Sequence, residues 1–195
     1  VEHFYPGTIL PPPEPPEEDL VQAVLEQGFS REELATWYLL RKATYLLNVL
    51  HRPVRFADLG LEIAKIEKYV GVGWASDMPS RDALLDMYLN DRPGFEGLCG
   101  DIGRDVAPRF FSHFYAMTGQ ELGALPFSTD SALVLDAQLV RDYIDPADLA
   151  EVHGQTNAIG AINNHRRDQE IVRCIGESLF AGESPFIVYG AAHAV

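Results

Sequence analysis

The stretch FIVYGAAH, at residues 186–193, decides the fold that the sequence predicts. A continuous apolar run such as 186–189 is typical of a strand that is buried on both faces in a parallel sheet. The glycine at position 190 allows a sharp turn, because it has no Cβ to clash with the backbone. In an open parallel sheet, ligands bind at the carboxyl ends of the strands, where His193 would lie. A histidine at that place can act as a base, an acid or a metal ligand near neutral pH.

Two further strands are predicted, at residues 1–5 and 54–57, and the second of these ends at Asp58 with Gly60 as the turn. The remaining periodic segments predict helices near 17–27, 31–50, 61–69, 79–90, 101–117, 130–143 and 164–180, and a short one from Asp145. Few short strands among many helices predict an α/β fold, in which helices cover a small, mainly parallel sheet. Because three short strands need more neighbours to form a stable sheet, we expect a further strand upstream of Val1.

The clearest helix signal is the capping box formed by Ser30 and Glu33. Apolar residues cover much of the circumference of the helix that follows, so we expect residues 31–50 to be largely buried. The two cysteines, Cys99 and Cys174, stand alone in the sequence and are predicted to be free, buried thiols, with one disulfide between them as the alternative.

Length and composition favour a single domain over residues 1–195, with a strand and a proline-rich loop at residues 1–16. The chain has 29 acidic and 15 basic residues, and its net charge of −14 would repel nucleic acid and anionic membranes. The apolar runs are far shorter than the ~18–20 residues of a membrane span, so none is predicted. No secretory signal opens the chain, which favours a cytoplasmic location. The sequence does not predict the oligomeric state.

Charged residues near the predicted strand ends are the candidates for a site. If the three strands are parallel neighbours, Glu2, Asp58 and His193 converge at one sheet edge, where a carboxylate would orient the histidine or share a metal with it. Arg166 and Arg167 would lie in the first turn of a helix capped by Asn163-Asn164, where the helix dipole disfavours cations. A nearby carboxylate, phosphate or polarised oxygen would explain them; otherwise they reach solvent or pair with acids. The alternative for Glu2 is a frayed terminal residue, and for His193 a packed position at the domain edge.

Residues 164–193 resemble a known closing motif. The segment Asn164-His165-Arg166-Arg167-Asp168, an apolar helix face and FIVYGAAH are similar to the end of the superfamily that joins erythromycin esterases, TraB/PrgY-like and TIKI-type hydrolases, and ChaN-like proteins. In that pattern an Arg-Asn or Arg-Asp begins a helix, and a Gly-Ala-x-His ends the next strand. The family's early Gly-x-x-His turn is absent here, and Val1-Glu2-His3 is similar to its second strand, so the missing turn is expected upstream of residue 1.

The resemblance implies a hydrolase that cleaves an ester, lactone or amide bond in a small-molecule or peptide substrate. His193 would be a base or metal ligand, Arg167 would hold a carboxylate or a developing oxyanion, and Glu2 would activate water. Asp58 and Gly190 would line the substrate site. TIKI-like members imply a divalent metal, here at His193 and Glu2, whereas members like erythromycin esterase imply none. Two alternatives stay open: a non-catalytic protein that binds a haem-like molecule, and an acidic interaction module that uses the prolines at 11–16.

Overall fold

The computed structural model describes residues 18–75, 77–118, 132–133 and 155–185. Over these residues the protein is all-α, so the predicted α/β fold is wrong. The six α-helices are α1 (Glu18–Glu26), α2 (Arg31–Thr44), α3 (Phe56–Val70), α4 (Arg81–Asn90), α5 (Arg92–Thr118) and α6 (Gln155–Phe180), and a π-helical segment, Tyr45–Val49, continues α2. None of the helices in these ranges has the length and apolar character needed to cross a membrane.

The strand content is limited to one small antiparallel pair. Strand β1 (Val54–Arg55) pairs with β2 (Ala132–Leu133), which is too small to be the sheet that the sequence predicted. The helix predicted at 130–143 is therefore wrong at residues 132–133, and its remainder lies outside the described residues. The predicted strands at 1–5 and 186–189, the proline-rich loop and the short helix from Asp145 also lie outside them.

The second predicted strand is wrong beyond Arg55, because Phe56 begins a helix. The short segment 54–57, bounded by Asp58 and Gly60, suggested a strand, but apolar residues recur at helical spacing from Phe56 to Val70. One face of α3 is buried along its length, through Phe56, Leu59, Ile63, Ile66 and Val70. A strand would expose part of this set, so the helical period prevails.

The other helices predicted in the described ranges are present, although their ends differ from the predicted ones. Ser30 Oγ accepts a hydrogen bond from Glu33 N at 3.1 Å, and Glu33 Oε2 accepts one from Ser30 N at 2.6 Å, so the capping box opens α2 as predicted. Most of α2 is buried. The helices predicted at 61–69, 79–90 and 101–117 correspond to α3, α4 and α5.

Helices α3 and α5 form the centre of the core and pack backbone against backbone. A Cβ added to Gly60 would lie 1.9 Å from the carbonyl oxygen of Cys99, and one added to Gly103 would lie 1.9 Å from that of Phe56. Only a hydrogen atom fits at these two positions, so Gly60 is a packing residue inside α3 and not the turn that was predicted. Fully buried aromatic side chains of α5 extend this contact: Phe110, Phe111 and Phe114.

The connection between α3 and α4 is held by one carboxylate. Glu67 accepts hydrogen bonds from the backbone nitrogens of Gly73 at 3.1 Å, Trp74 at 2.7 Å and Ala75 at 3.3 Å. Arg109 of α5 donates to the carbonyl oxygen of Trp74 at 2.9 Å. These bonds fix the loop against the α3–α5 core.

Both cysteines are free, as predicted, but only one is buried. Cys99 is 2% exposed within α5. Cys174 is exposed, because it lies on the C-terminal half of α6, where most side chains face solvent. The prediction of a buried thiol is therefore wrong for Cys174.

Candidate anion-binding site

Two arginines lie close together where α2 packs against α6, Arg41 on α2 and Arg167 on α6, and their positive charges act on each other. We call them the arginine cluster. The two helices touch at Trp37 and Gly160, since a Cβ on Gly160 would lie 3.5 Å from Trp37 Nε1. Arg41 follows Trp37 by about one turn, and Arg167 follows Gly160 by about two. Both arginines therefore extend from the surfaces through which α2 and α6 meet.

Arg41 is a half-buried cation with an aromatic support. Its guanidinium lies over the Trp37 ring, 5.1 Å from the ring centroid, in a cation–π contact. In the part of the chain that the structure describes, no carboxylate lies within 4 Å of it. Burial lowers the pKa of Arg41, and the nearby positive charge of Arg167 lowers it further. Both effects disfavour the charged form, so a bound anion would relieve them.

Arg166, the neighbour of Arg167 in the sequence, connects α6 to the first helix. Its Nη1 donates to the carboxylate of Asp19 on α1. Its Nε atom is buried, and no acceptor for it lies among the described residues.

Arg167 is half-buried within α6, and its predicted position at a helix start is wrong. The helix begins at Gln155, about three turns earlier, so the helix dipole does not act on Arg167. The earlier start arises because Ile159 is fully buried and Asn163 is 7% exposed, which makes the predicted cap an interior residue. Arg167 nevertheless lies beside another cation, which keeps it a candidate for binding an anion.

Asp58 lies in the first turn of α3, where its carboxylate caps the helix. It accepts hydrogen bonds from Arg52 Nη1 at 3.0 Å, Arg52 Nη2 at 2.9 Å and the backbone nitrogen of Arg55 at 2.9 Å. Burial by itself would raise the pKa of Asp58, but the hydrogen bonds from Arg52 and Arg55 outweigh it and lower the pKa. This arrangement gives Asp58 a structural role, and its substrate-binding role stays a prediction.

The remaining predicted site residues, Glu2, Gly190 and His193, lie outside the described residues. The convergence of Glu2, Asp58 and His193 therefore also stays a prediction. Among the residues that are described, no group of three or more His, Cys, Asp and Glu side chains could hold a metal. The predicted metal ligands, Glu2 and His193, are not part of that set.

A second group of charges lies between α2 and α3. The carboxylate of Glu62 is fully buried and its Oε1 contacts Lys42 Nζ at 2.9 Å and Lys65 Nζ at 2.8 Å. Glu62 Oε2 has no hydrogen-bond partner among the residues that the structure describes. Lys42 is 9% exposed and its charge is thus compensated within the core, unlike that of its neighbour Arg41.

The sequence reasoning missed Arg41. The signal that could have identified it is a cation on the most apolar helix of the chain, one turn after a tryptophan. A charged residue on a buried helix needs a counter-charge or a ligand. That requirement is satisfied for Lys42 by Glu62, and it is not satisfied by any described carboxylate for Arg41.

In comparisons with known proteins, no protein-family model matches the chain, and neither a curated protein nor a solved structure matches it. Any functional conclusion therefore has to come from the residues themselves. The described residues contribute the arginine cluster, and the sequence contributes the resemblance over residues 164–193.

Proposed function

We propose that the protein is a hydrolase of ester, lactone or amide bonds and that the arginine cluster holds an anionic part of the substrate. One observation carries the proposal. Arg167, the residue that the resemblance implies as the anion holder, lies beside Arg41, which has no carboxylate within 4 Å among the described residues. A guanidinium offers paired N–H donors that match the two oxygens of a carboxylate.

In the proposed reaction, His193 and Glu2 activate water, and Arg167 stabilises negative charge. His193 accepts a proton from water, with Glu2 orienting that water, and the oxygen attacks the carbonyl carbon. The carbonyl oxygen gains negative charge, and the bond to the leaving group then breaks as that group takes up the proton. Arg167 stabilises negative charge on the substrate. His193 and Glu2 enter here on the resemblance alone.

The test is hydrolysis of p-nitrophenyl esters, a homoserine lactone and an anilide by the full chain, with and without EDTA and added Mn²⁺ or Zn²⁺. We expect His193→Ala to lower kcat about 10²–10⁴-fold, as for loss of a general base. Arg167→Gln should lower kcat/KM about 10²–10³-fold. The matched control is Arg104→Gln, since Arg104 is exposed on α5, where it pairs with Asp101 and lies 5.7 Å from the centroid of the Phe56 ring. Equal rates for the wild type and His193→Ala would refute the proposal, provided that both melt at the same temperature.

A second candidate is the acidic interaction module, and exposed apolar residues favour it. Helix α4 has no buried residue. Large apolar side chains are exposed on α4 and α6: Leu85, Tyr88, Leu89, Val172, Leu179 and Phe180. Exposed apolar patches mark interaction surfaces when they are contiguous. A module of this kind would hydrolyse none of the substrates above, and light scattering would show that its mass rises with concentration or with an added partner.

A further inference from the structure

We propose that the outward face of α4 binds a basic amphipathic helix of a partner protein. Four residues share this face: Leu85, Leu89, Asp82 and Asp86. We call it the Leu–Asp face. The proposal narrows the second candidate function to one surface and one class of partner, and it does not depend on hydrolysis.

The helical period separates the Leu–Asp face from the side of α4 that is turned towards the core. Its members are three or four positions apart, so they fall within an arc of about 100°. The opposite side carries Leu84 and Met87, which are half-buried. The Tyr88 ring meets the Phe95 ring of α5 edge-on, with 5.3 Å between the centroids. The contact with α5 therefore leaves the Leu–Asp face pointing outward.

The two leucines form an exposed apolar pair. Leu85 is 53% exposed and Leu89 is 68% exposed, one turn apart. Single exposed apolar side chains are ordinary, but these two adjoin each other on a helix that has no buried residue. Because α4 has only ten residues, and helices shorter than about 12–15 residues are marginal without packing, a partner that covers the leucines would also stabilise α4.

The two aspartates make the face acidic. Asp82 and Asp86 are exposed and lie one turn apart, alongside the leucine pair. Neither carboxylate has a cation within 4 Å among the described residues, although Asp86 accepts a hydrogen bond from Asn90 Nδ2 at 2.7 Å. Arg81 lies about 100° from Asp82 round the helix, on the far side of Leu85. The carboxylates are therefore available to cations that a partner brings.

Charge decides which occupant fits the Leu–Asp face. The parts of the chain outside the described residues contain ten acidic residues and a single arginine, Arg141, so their charge does not complement the aspartates. A second copy of the chain brings a net charge of −14, which repels an acidic surface. The occupant that complements the face is a segment of another protein that carries Lys or Arg beside apolar residues.

The arrangement of the face indicates that the partner segment is helical. The leucines form one stripe along α4 and the aspartates form a second stripe beside it, each with the spacing of one helical turn. A partner helix with apolar residues at the same spacing can pack along the leucine stripe. Basic residues on one flank of that helix would then lie against the aspartates, and opposite charges would fix its orientation.

Binding is tested with the full chain and a synthetic fluorescent peptide. The probe has about 15 residues of leucine, lysine and alanine, with the leucines at helical spacing, and the control peptide is a scrambled sequence of the same composition. Fluorescence anisotropy should show that the probe binds more tightly than the scrambled peptide, because a protein of this charge attracts both but only the probe has an apolar stripe. Added salt should weaken the binding.

Substitutions assign the binding to α4. Leu89→Ala should weaken binding of the probe about tenfold, and Asp82→Asn about threefold. The matched controls are Leu179→Ala, which removes a leucine of similar exposure on α6, and Glu18→Gln, which removes an exposed carboxylate on α1. Both controls should bind the probe as the wild type does.

Other occupants of the face would give different results. A mass that rises with concentration in the wild type but not in Leu89→Ala would assign the face to a second copy. A larger fall in Tm for Leu89→Ala than for Leu179→Ala would show that a segment of the chain itself covers the face. Either result overturns the inference, as does equal binding of the two peptides or equal binding of the probe by these two variants. Leu89-dependent binding without ester hydrolysis removes the hydrolase proposal and leaves this surface standing.

Discussion

Replacement of Gly60 by alanine should destabilise the protein, because α3 and α5 touch through their backbones at this residue. The new Cβ would lie 1.9 Å from the carbonyl oxygen of Cys99, whereas a close C···O contact needs about 3.3 Å. The helices would have to separate by about 1.4 Å, since a backbone carbonyl cannot rotate away as a side chain does. Overpacking of this kind costs about 1–3 kcal/mol or more, and alanine returns about 1 kcal/mol of helix propensity.

The expected net loss in the free energy of unfolding for Gly60→Ala is therefore about 2 kcal/mol, or about 4–8 °C in Tm. Urea unfolding followed by circular dichroism at 222 nm measures it. Gly97→Ala is the matched control, because Gly97 is exposed on α5 and a Cβ there meets nothing within 4 Å. That control should gain up to about 1 kcal/mol. If Gly60→Ala proves as stable as Gly97→Ala, the backbone contact between α3 and α5 does not exist.

Three other predictions concern single side chains. The pKa of Asp58 is lower in the folded protein, so its carboxylate contributes stability above about pH 4 that is lost as the pH falls through the folded pKa. Asp58→Asn should therefore lower the Tm at pH 7, and the difference from wild type should shrink as the pH falls below about 4; a loss of Tm that does not change with pH would contradict this. Glu67→Gln should cost about 1–3 kcal/mol and speed hydrogen exchange at the Trp74 amide, and unchanged protection there would show that Glu67 does not hold the loop. Cys174 should react with DTNB in the native protein, whereas Cys99, whose pKa is raised by burial, should react only after unfolding; two thiols titrating together would count against the placement of α5.

Local sequence signals predicted α1 and α2 well, because residues adjacent in the sequence determine where these helices begin and end. Ser30 and Glu33 satisfy each other's backbone nitrogens without help from the rest of the chain. Gly60 shows where local reading fails. In isolation, a glycine after a short apolar run indicates a turn, and only the approach of Cys99, on a helix that begins after Asp91, explains why glycine is needed inside α3.

The candidate site shows the same limit. Arg167 was selected from the motif that surrounds it, although its expected position at a helix start was wrong. Arg41 was not selected, because its role depends on contact between helices whose sequences lie more than a hundred residues apart. No residue near Arg41 in the sequence indicates that Arg167 will lie beside it. The roles of Glu2 and His193 remain predictions, which the hydrolysis assay tests.

The contact between Asp19 and Arg166 joins residues that are 147 positions apart in the chain. Bringing such distant segments together loses loop entropy before any contact compensates it, so this pairing is expected late on the folding pathway, after α3 and α5 have met. Interactions that are absent from the transition state affect mainly the rate of unfolding. Loss of this contact, as in Arg166→Gln, should therefore shorten the lifetime of the native state while leaving the rate of its formation nearly unaltered.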